Sequence, residues 1–157
     1  MTQLPFGFRF AAIRDEEFAT DVAQYRPDQQ AGINLRFAMD VDTGERLLMT
    51  RVSVQFFEMD TANEPLAPFL QGSITCHFVI APDSWAEWTD EAAQTVTIPS
   101  PVNAHFQAFT VGTLRGFLHA KLERNVIQVL LPPINVTQAV AQDGDVVVSL
   151  VPEAASE

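Results

Sequence analysis

Strict alternation of apolar and polar residues over 33–41 is the feature that most limits what this chain can fold into. The apolar side chains occupy every second position, at Ile33, Leu35, Phe37, Met39 and Val41. Because successive side chains of a β-strand point to opposite faces, this pattern predicts a strand with one buried and one solvated face. The Asp42-Thr43-Gly44 stretch that follows is typical of a hairpin turn.

Three other segments show the same period of two. One face of a strand over 47–59 would carry Val52, Val54 and Phe56, and one face of a strand over 69–80 would carry Leu70, Ile74, Cys76, Phe78 and Ile80. Near the start of the chain, Phe6, Phe8 and Phe10 alternate as well. With a proline-containing turn at 63–68, these segments predict a meander of four antiparallel strands.

Ser100-Pro101 predicts the start of a long helix over 101–122, with the serine hydroxyl as cap and proline at the first helical position. The helix has two apolar sides, one with Val102, Phe106, Phe109 and Phe117, the other with Val111, Leu114, Leu118 and Leu122. A sheet covers one side, so the second needs either the crossover loop or another subunit. The predicted subunit interface is Val111, Gly112, Leu114, Gly116 and Leu118. The two glycines fit tight packing of the helix on the sheet equally well.

The stretch between the strands and the helix, 82–99, is interpreted as a crossover loop. It would carry Trp85 and Trp88 and begin with a short helix capped by Asp83 or Ser84. After the long helix comes VLLPPINV, residues 129–136. Proline cannot donate to a ladder, so this segment is not a central strand, and we expect it to return across the sheet and helix. Residues 146–151 favour a strand or a short amphipathic element.

Composition narrows the class of protein. The length of 157 residues fits one domain, assigned to 1–151, with a short acidic tail at 152–157. A net charge of −11 argues against binding nucleic acid. No apolar run reaches the length of a membrane span, and the first residues lack the pattern of a secretory signal. The single cysteine excludes an internal disulfide and fits a reducing cytoplasm.

The sequence offers no set of residues for catalysis, so no enzyme, metal or cofactor is predicted. Cys76 is interpreted as a core residue, and His105 and His119 are about 20 Å apart along the helix, too far to share a metal ion. The stretch from Asp40 to Glu45 resembles a calcium loop only faintly, because Arg51 stands where such a loop needs its glutamate. The acidic group Asp15, Glu16 and Glu17 is either a solvated segment or a docking patch for a basic partner.

The order of elements, together with PVNAHFQAFTVGTLRGFLHAKL and VLLPPINVTQAV, resembles the SecB protein-export chaperone family over roughly residues 6–140. The resemblance implies an α+β subunit with a four-stranded antiparallel sheet and one long helix, assembled as a tetramer, a dimer of dimers. It implies no catalysis and no ATP or other cofactor. Unfolded precursor polypeptides would bind in apolar grooves and pass to the SecA motor. The groove residues carried over are Phe37, Phe56, Phe57, Phe78, Trp85, Trp88, Phe106 and Phe109.

The chain also departs from that family. Gln71 stands where the family carries an acidic residue that docks the motor, and Thr75-Cys76 replaces a small glycine pair. Asp15, Glu16 and Glu17 keep an acidic region near the N-terminus. Three other readings therefore stay open: a SecB-like relative with a different role, a carrier of a small apolar ligand, and a non-catalytic adaptor.

Overall fold

A computed structural model of the chain describes residues 6–28 and 31–150. The strands within these residues are β1 (Phe8–Thr20), β2 (Gly32–Asp42), β3 (Leu47–Met59), β4 (Pro65–Ile80), β5 (Thr89–Asp90), β6 (Thr95–Ile98) and β7 (Val146–Ser149). The helices are α1 (Pro82–Trp88), α2 (Ser100–Leu122) and α3 (Val136–Ala141), and one 3-10 turn spans Val22–Gln24. The acidic tail assigned to 152–157 lies outside the described residues.

Four antiparallel strands form the main sheet in the order β1-β4-β3-β2, which confirms the predicted α+β class. Strands β2, β3 and β4 form a meander, but β1 pairs with β4 and not with β2. A strand joined to the next by a tight hairpin would lie beside it. Here the connection from Asp21 to Ala31 is too long for that, and the Asp21 N–H donates to the Phe69 carbonyl at 2.8 Å, which fixes the end of β1 beside β4.

The helix α2 packs on one face of this sheet, over β3 and β4. The side chains assigned to this face are buried as the alternation predicted: Val52, Val54, Phe56, Leu70, Ile74, Cys76, Phe78 and Ile80. Helix and sheet pack closely at Gly72, where an added Cβ would lie 2.7 Å from Cδ2 of Leu118. The hydroxyls of Thr50 and Thr110 hydrogen-bond across the same interface.

The predicted span of α2 is confirmed, but its predicted cap is wrong. The residue before the helix is Pro99, and no side chain caps the helix from within its own N-terminus. The backbone N–H of Ser100 instead donates to Oδ1 of Asp145, 2.8 Å away and just before β7. A carboxylate distant in sequence thus accepts a hydrogen bond at the helix start, where the sequence predicted the Ser100 hydroxyl as the cap.

Residues 82–99 are more ordered than a crossover loop. After α1, the strands β5 and β6 form a hairpin, and β7 pairs with the free side of β6 to complete a second, three-stranded sheet. The strand favoured at 146–151 therefore exists, and its partner is β6, not the main sheet. α1 begins after Ala81, whose side chain cannot cap a helix, so the predicted cap at Asp83 or Ser84 is wrong. The Ser84 hydroxyl lies inside the helix and accepts from the N–H of Gly7.

α3 packs on α2, and the side chain of Arg115 on α2 holds the proline-containing segment that precedes α3. Ile127 and Leu131 are buried, as are Val136 and Val140 of α3, which packs on α2. The absence of a strand at 129–136 agrees with the prediction from its prolines. The C-terminal part of the chain thus covers part of α2, a contribution that the sequence did not predict, and cover of α2 by another subunit stays a prediction.

Candidate functional site

Aromatic rings from three elements meet where the start of β1 passes the first turns of α2. Phe8 lies 5.0 Å from Phe106 and 5.9 Å from Phe78, centroid to centroid. Phe10 lies 5.0 Å from Phe109. Ring pairs at such separations stabilise one another beyond the burial of their area. We call this group, with Phe6, Trp88 and His105, the aromatic cluster.

The outer part of the aromatic cluster faces solvent. Phe8, Phe10 and Phe109 are exposed by 39%, 40% and 40%, whereas Phe78 and Phe106 beneath them are fully buried. Ile13, further along β1, is exposed to a similar extent. Contiguous apolar surface of this kind marks a site of interaction more often than a scattered single side chain does.

The segment 82–99, predicted as the crossover loop, closes one end of the aromatic cluster. Phe6 lies 5.8 Å from the Trp88 ring and 5.6 Å from the His105 ring, so the end of α1, β1 and α2 meet there. The crossover residues 82–99 include four acidic side chains and no lysine or arginine: Asp83, Glu87, Asp90 and Glu91. All four are exposed. An apolar surface with an acidic border favours polypeptide segments that carry both apolar and basic residues.

Four of the predicted groove residues belong to this cluster, and the others do not join it. Phe78 and Phe106 form its buried base, Phe109 is exposed, and Trp88 is half-buried. Sequence reasoning missed Phe6, Phe8, Phe10 and His105 as members, although the alternation of the three phenylalanines was a visible signal.

The remaining groove residues lie elsewhere. Phe56 is buried beside Phe69, 6.2 Å away, in a separate part of the core with Tyr25. Phe57 points to the other face of the sheet, where its ring covers Gly32. Phe37 is half-buried on β2, and Trp85 is buried in α1. The assignment of Phe56 and Trp85 to an open groove is corrected by their burial within the subunit.

The predicted interface residues also divide into buried and exposed ones. Val111, Leu114 and Leu118 are buried inside the subunit, so they are unavailable to a second copy, and their assignment to an exposed interface is corrected. Gly112 and Gly116 are exposed, and nothing lies within 4 Å of a Cβ added at either position. The alternative that these glycines allow tight packing on the sheet is therefore wrong as well. That role belongs to Gly72.

The acidic residues of β1 lie at an irregular part of the strand. Asp15 has a positive φ of 52° and lies within the second register shift, between Arg14 and Glu17. Glu17 forms an ion pair with Arg51 at 3.3 Å and accepts from the Ser73 hydroxyl at 3.2 Å. Glu16 is exposed. A docking patch here would therefore offer less free negative charge than its sequence indicates.

A trough of about 550 Å³ crosses the face of the main sheet opposite α2. Its lining mixes polar side chains, among them Arg36, Ser53 and Gln71, with the apolar Phe18 and Val54. Apolar ligands prefer pockets lined by hydrophobic side chains, so this trough does not favour the carrier of a small apolar ligand.

Histidine, cysteine and carboxylate side chains are the candidates for metal binding and nucleophilic chemistry. Within 6–28 and 31–150 no cluster of histidine, cysteine and carboxylate side chains could hold a metal ion. Burial raises the pKa of the Cys76 thiol, and weaker hydrogen bonds to Thr110 and Thr113 lower it in part. A thiol with a raised pKa is a poor nucleophile at neutral pH. In the same part of the chain, no helix is long and apolar enough to cross a membrane.

Comparison with known proteins gives structural resemblances only. No family model matches the chain, and no curated protein matches it. One similar solved structure is a SecB-like chaperone of Mycobacterium tuberculosis in complex with a peptide from an antitoxin. It has 13% sequence identity and a TM-score of 0.44, and the match covers 81% of this chain and 93% of that one. A protein of unknown function from Streptococcus agalactiae has 10% identity and a TM-score of 0.35, with 82% and 98% covered. Both TM-scores are below 0.5, so neither resemblance carries an argument about function.

Proposed function

We propose that the protein is an ATP-independent holdase chaperone that binds unfolded polypeptides at the aromatic cluster. The observation that carries the proposal is the set of three adjacent, partly exposed rings, Phe8, Phe10 and Phe109, on a buried aromatic base. Rigid aromatic side chains bind apolar segments at a low entropic cost, and they do so without requiring one particular sequence. Such a surface suits many clients.

The acidic border adds selectivity among clients. Asp83 and Glu87 lie on α1 beside Trp88, and no lysine or arginine of 82–99 offsets them. Clients with basic residues next to apolar ones would gain from long-range attraction, and clients rich in acidic residues would be repelled. Binding should therefore weaken as salt is added, but should not vanish, because the aromatic contacts remain.

The proposal includes assembly of the subunit into a dimer of dimers. One side of α2 remains uncovered in the subunit, where the exposed residues include Gly112 and Gly116. Small side chains allow two helices to approach closely, so this side fits an α2–α2 contact between copies. Substitution of Gly116 by leucine would fill that contact, and we expect it to reduce assembly in light scattering without unfolding the subunit. Unchanged assembly would remove this side of the helix from the interface.

Docking of the SecA motor stays a prediction from the family resemblance. Asp15, Glu16 and Glu17 are the candidate residues, but the ion pair with Arg51 partly neutralises Glu17. The export role therefore has weaker support than client holding. A non-catalytic adaptor would bind one folded partner and ignore unfolded chains, so the experiment below separates it from a holdase.

The decisive experiment is suppression of aggregation of a chemically unfolded, slow-folding protein, without nucleotide and over a series of chaperone concentrations. A holdase should give saturable suppression near one client per assembly. Phe10→Ser and Phe109→Ser should weaken it, as should Trp88→Ala. Leu130→Ser is the matched control, because Leu130 is an apolar side chain exposed by 73% outside the cluster. No suppression by the wild type at several-fold excess, or equal loss in Leu130→Ser, would contradict the proposal.

A further inference from the structure

His105 places an ionisable ring inside the aromatic cluster. Its centroid lies 5.6 Å from that of Phe6, 5.7 Å from that of Phe8 and 5.6 Å from that of Phe106, its neighbour on α2. The three pairs are steeply inclined, by 83°, 68° and 70°, so the edge of one ring meets the face of the other. The imidazole is therefore part of the surface that a client would contact.

The His105 side chain is open to protonation. It is exposed, and it has no ion pair and no side-chain hydrogen bond within residues 6–28 and 31–150. Histidine is the side chain that ordinarily changes charge between about pH 5 and pH 8. Because the face of an aromatic ring attracts a positive charge, a protonated imidazole can remain among the phenylalanines. A proton on His105 thus adds a positive charge to an apolar surface.

The permanent charges on the elements around His105 are mostly acidic. α2 itself carries no other charged or titratable side chain between Ser100 and Leu114. Arg9 pairs with Val79 and so lies on the face of the sheet opposite the cluster, and Arg46 donates from Nε to the Ile80 carbonyl at 3.2 Å. The acidic residues are Asp83 and Glu87 on α1, Asp90 and Glu91 in the hairpin of β5 and β6, Glu45 beside Arg46, and Asp145 at the start of α2.

We propose that protonation of His105 releases basic clients from the aromatic cluster, so that the surface holds them at neutral pH and lets them go at mildly acidic pH. The inference rests on the proposed holdase function and adds a means of regulation to the same site. A neutral imidazole is one more ring for apolar client residues. A charged one must be stripped of water before a client can cover it, and it repels the basic residues that the acidic border attracts.

The charge of the client decides the sign of the effect. Two peptides with the same apolar core, one flanked by lysines and one by glutamates, isolate the electrostatic part. The preference for the lysine-flanked peptide, taken as the ratio of the two dissociation constants, should fall about three- to tenfold between pH 7.5 and pH 5.5, because one unit charge is added next to the bound segment. Carboxyl groups ordinarily stay ionised over this range, so the acidic border keeps its charge.

Substitution of single histidines assigns the effect. In His105→Gln, which keeps a polar side chain that does not titrate, the preference should be the same at both pH values. His119→Gln is the matched control, since His119 is exposed on the same helix but belongs to no pair of rings in the cluster, and it should keep the wild-type pH dependence. Fluorescence anisotropy of labelled peptides measures the affinities, and thermal unfolding checks that each variant is folded.

A second measurement uses the wild type alone. By linkage, saturating lysine-flanked peptide should raise the neutral fraction of the His105 imidazole, followed through its NMR ring resonances at about pH 6.5. An unchanged neutral fraction would overturn the proposal, as would a wild-type preference that does not vary with pH or an equal fall in His105→Gln. Binding at pH 7.5 is read separately. If both peptides bind there without pH dependence, this inference fails and the holdase stands, whereas if neither binds, both fail.

Discussion

Arg115 donates from Nε to the carbonyl of Leu131 at 3.1 Å and so ties α2 to the proline-containing segment. Its Nη2 also donates to the carbonyl of Pro132, at 3.1 Å. The segment belongs to neither sheet, so a helix side chain satisfies carbonyls that a ladder would otherwise satisfy. The Arg115 guanidinium thereby holds the proline-containing segment against α2.

Arg115→Met should destabilise the subunit by about 1–3 kcal/mol, because it leaves two carbonyls without their charged donor. Chemical denaturation measures the change in the free energy of unfolding. Arg124→Met is the control, since Arg124 is exposed, lies just beyond α2 and has no ion pair or side-chain hydrogen bond within residues 6–28 and 31–150. Equal losses in the two variants would mean that the hydrogen bonds of Arg115 contribute nothing specific.

Alanine in place of glycine should have opposite effects at two positions. Gly72→Ala sets a methyl group 2.7 Å from Cδ2 of Leu118, which must move, so we expect a loss of about 1–3 kcal/mol. Gly112→Ala meets nothing within 4 Å and improves helix propensity, so the subunit should gain about 0.5–1 kcal/mol. Thermal unfolding of both variants provides the comparison. A stabilised Gly72→Ala variant would show that the helix does not approach the sheet so closely.

The Asp145 carboxylate should matter through its contact with the start of α2. Asp145→Ala removes the acceptor for the Ser100 N–H and should cost about 0.5–2 kcal/mol of unfolding free energy. Asp145→Asn keeps an acceptor oxygen and should recover part of that loss. Hydrogen exchange at Ser100 gives a local readout, and an unchanged rate in Asp145→Ala would count against this cap.

Cys76 should make the stability depend on pH in the alkaline range. Its folded-state pKa is raised by burial, so above about pH 8.5 the unfolded chain loses the thiol proton while the folded chain keeps it. Stability contributed by this group is therefore complete at lower pH and declines as pH rises through the ordinary thiol pKa. The difference in unfolding free energy between the wild type and Cys76→Ala, measured from pH 7 to 10, should shrink with rising pH. A constant difference would contradict the raised pKa.

Local pattern was enough to predict the four strands of the main sheet and the long helix, but not the hairpin of β5 and β6. Alternation gave the bounds of β3 from 47 to 59, and Ser100-Pro101 placed the start of α2. Pairing between distant segments was not predictable in this way. β6 and β7 are separated by the whole of α2 and α3, and short apolar runs do not say which other run they pair with.

The candidate site was predicted only in part, again because the pairing of distant segments was not predictable. Phe106 and Phe109 both lie on α2 and are the same residue type, yet one is buried and the other exposed. The difference depends on where β1 crosses the helix, and β1 was expected beside β2. Once β1 pairs with β4, Phe8 and Phe10 reach the helix, and the cluster follows from that placement.

The two register shifts of β1 limit how far the main sheet can be extended by further strands. A sheet with two regular edges could add copies at both ends without stopping, as amyloid fibres do. In the described part of this chain the register shifts make the β1 edge irregular, so addition of a further strand there is disfavoured. Growth of the sheet from both edges at once is therefore disfavoured in a protein that exposes aromatic rings.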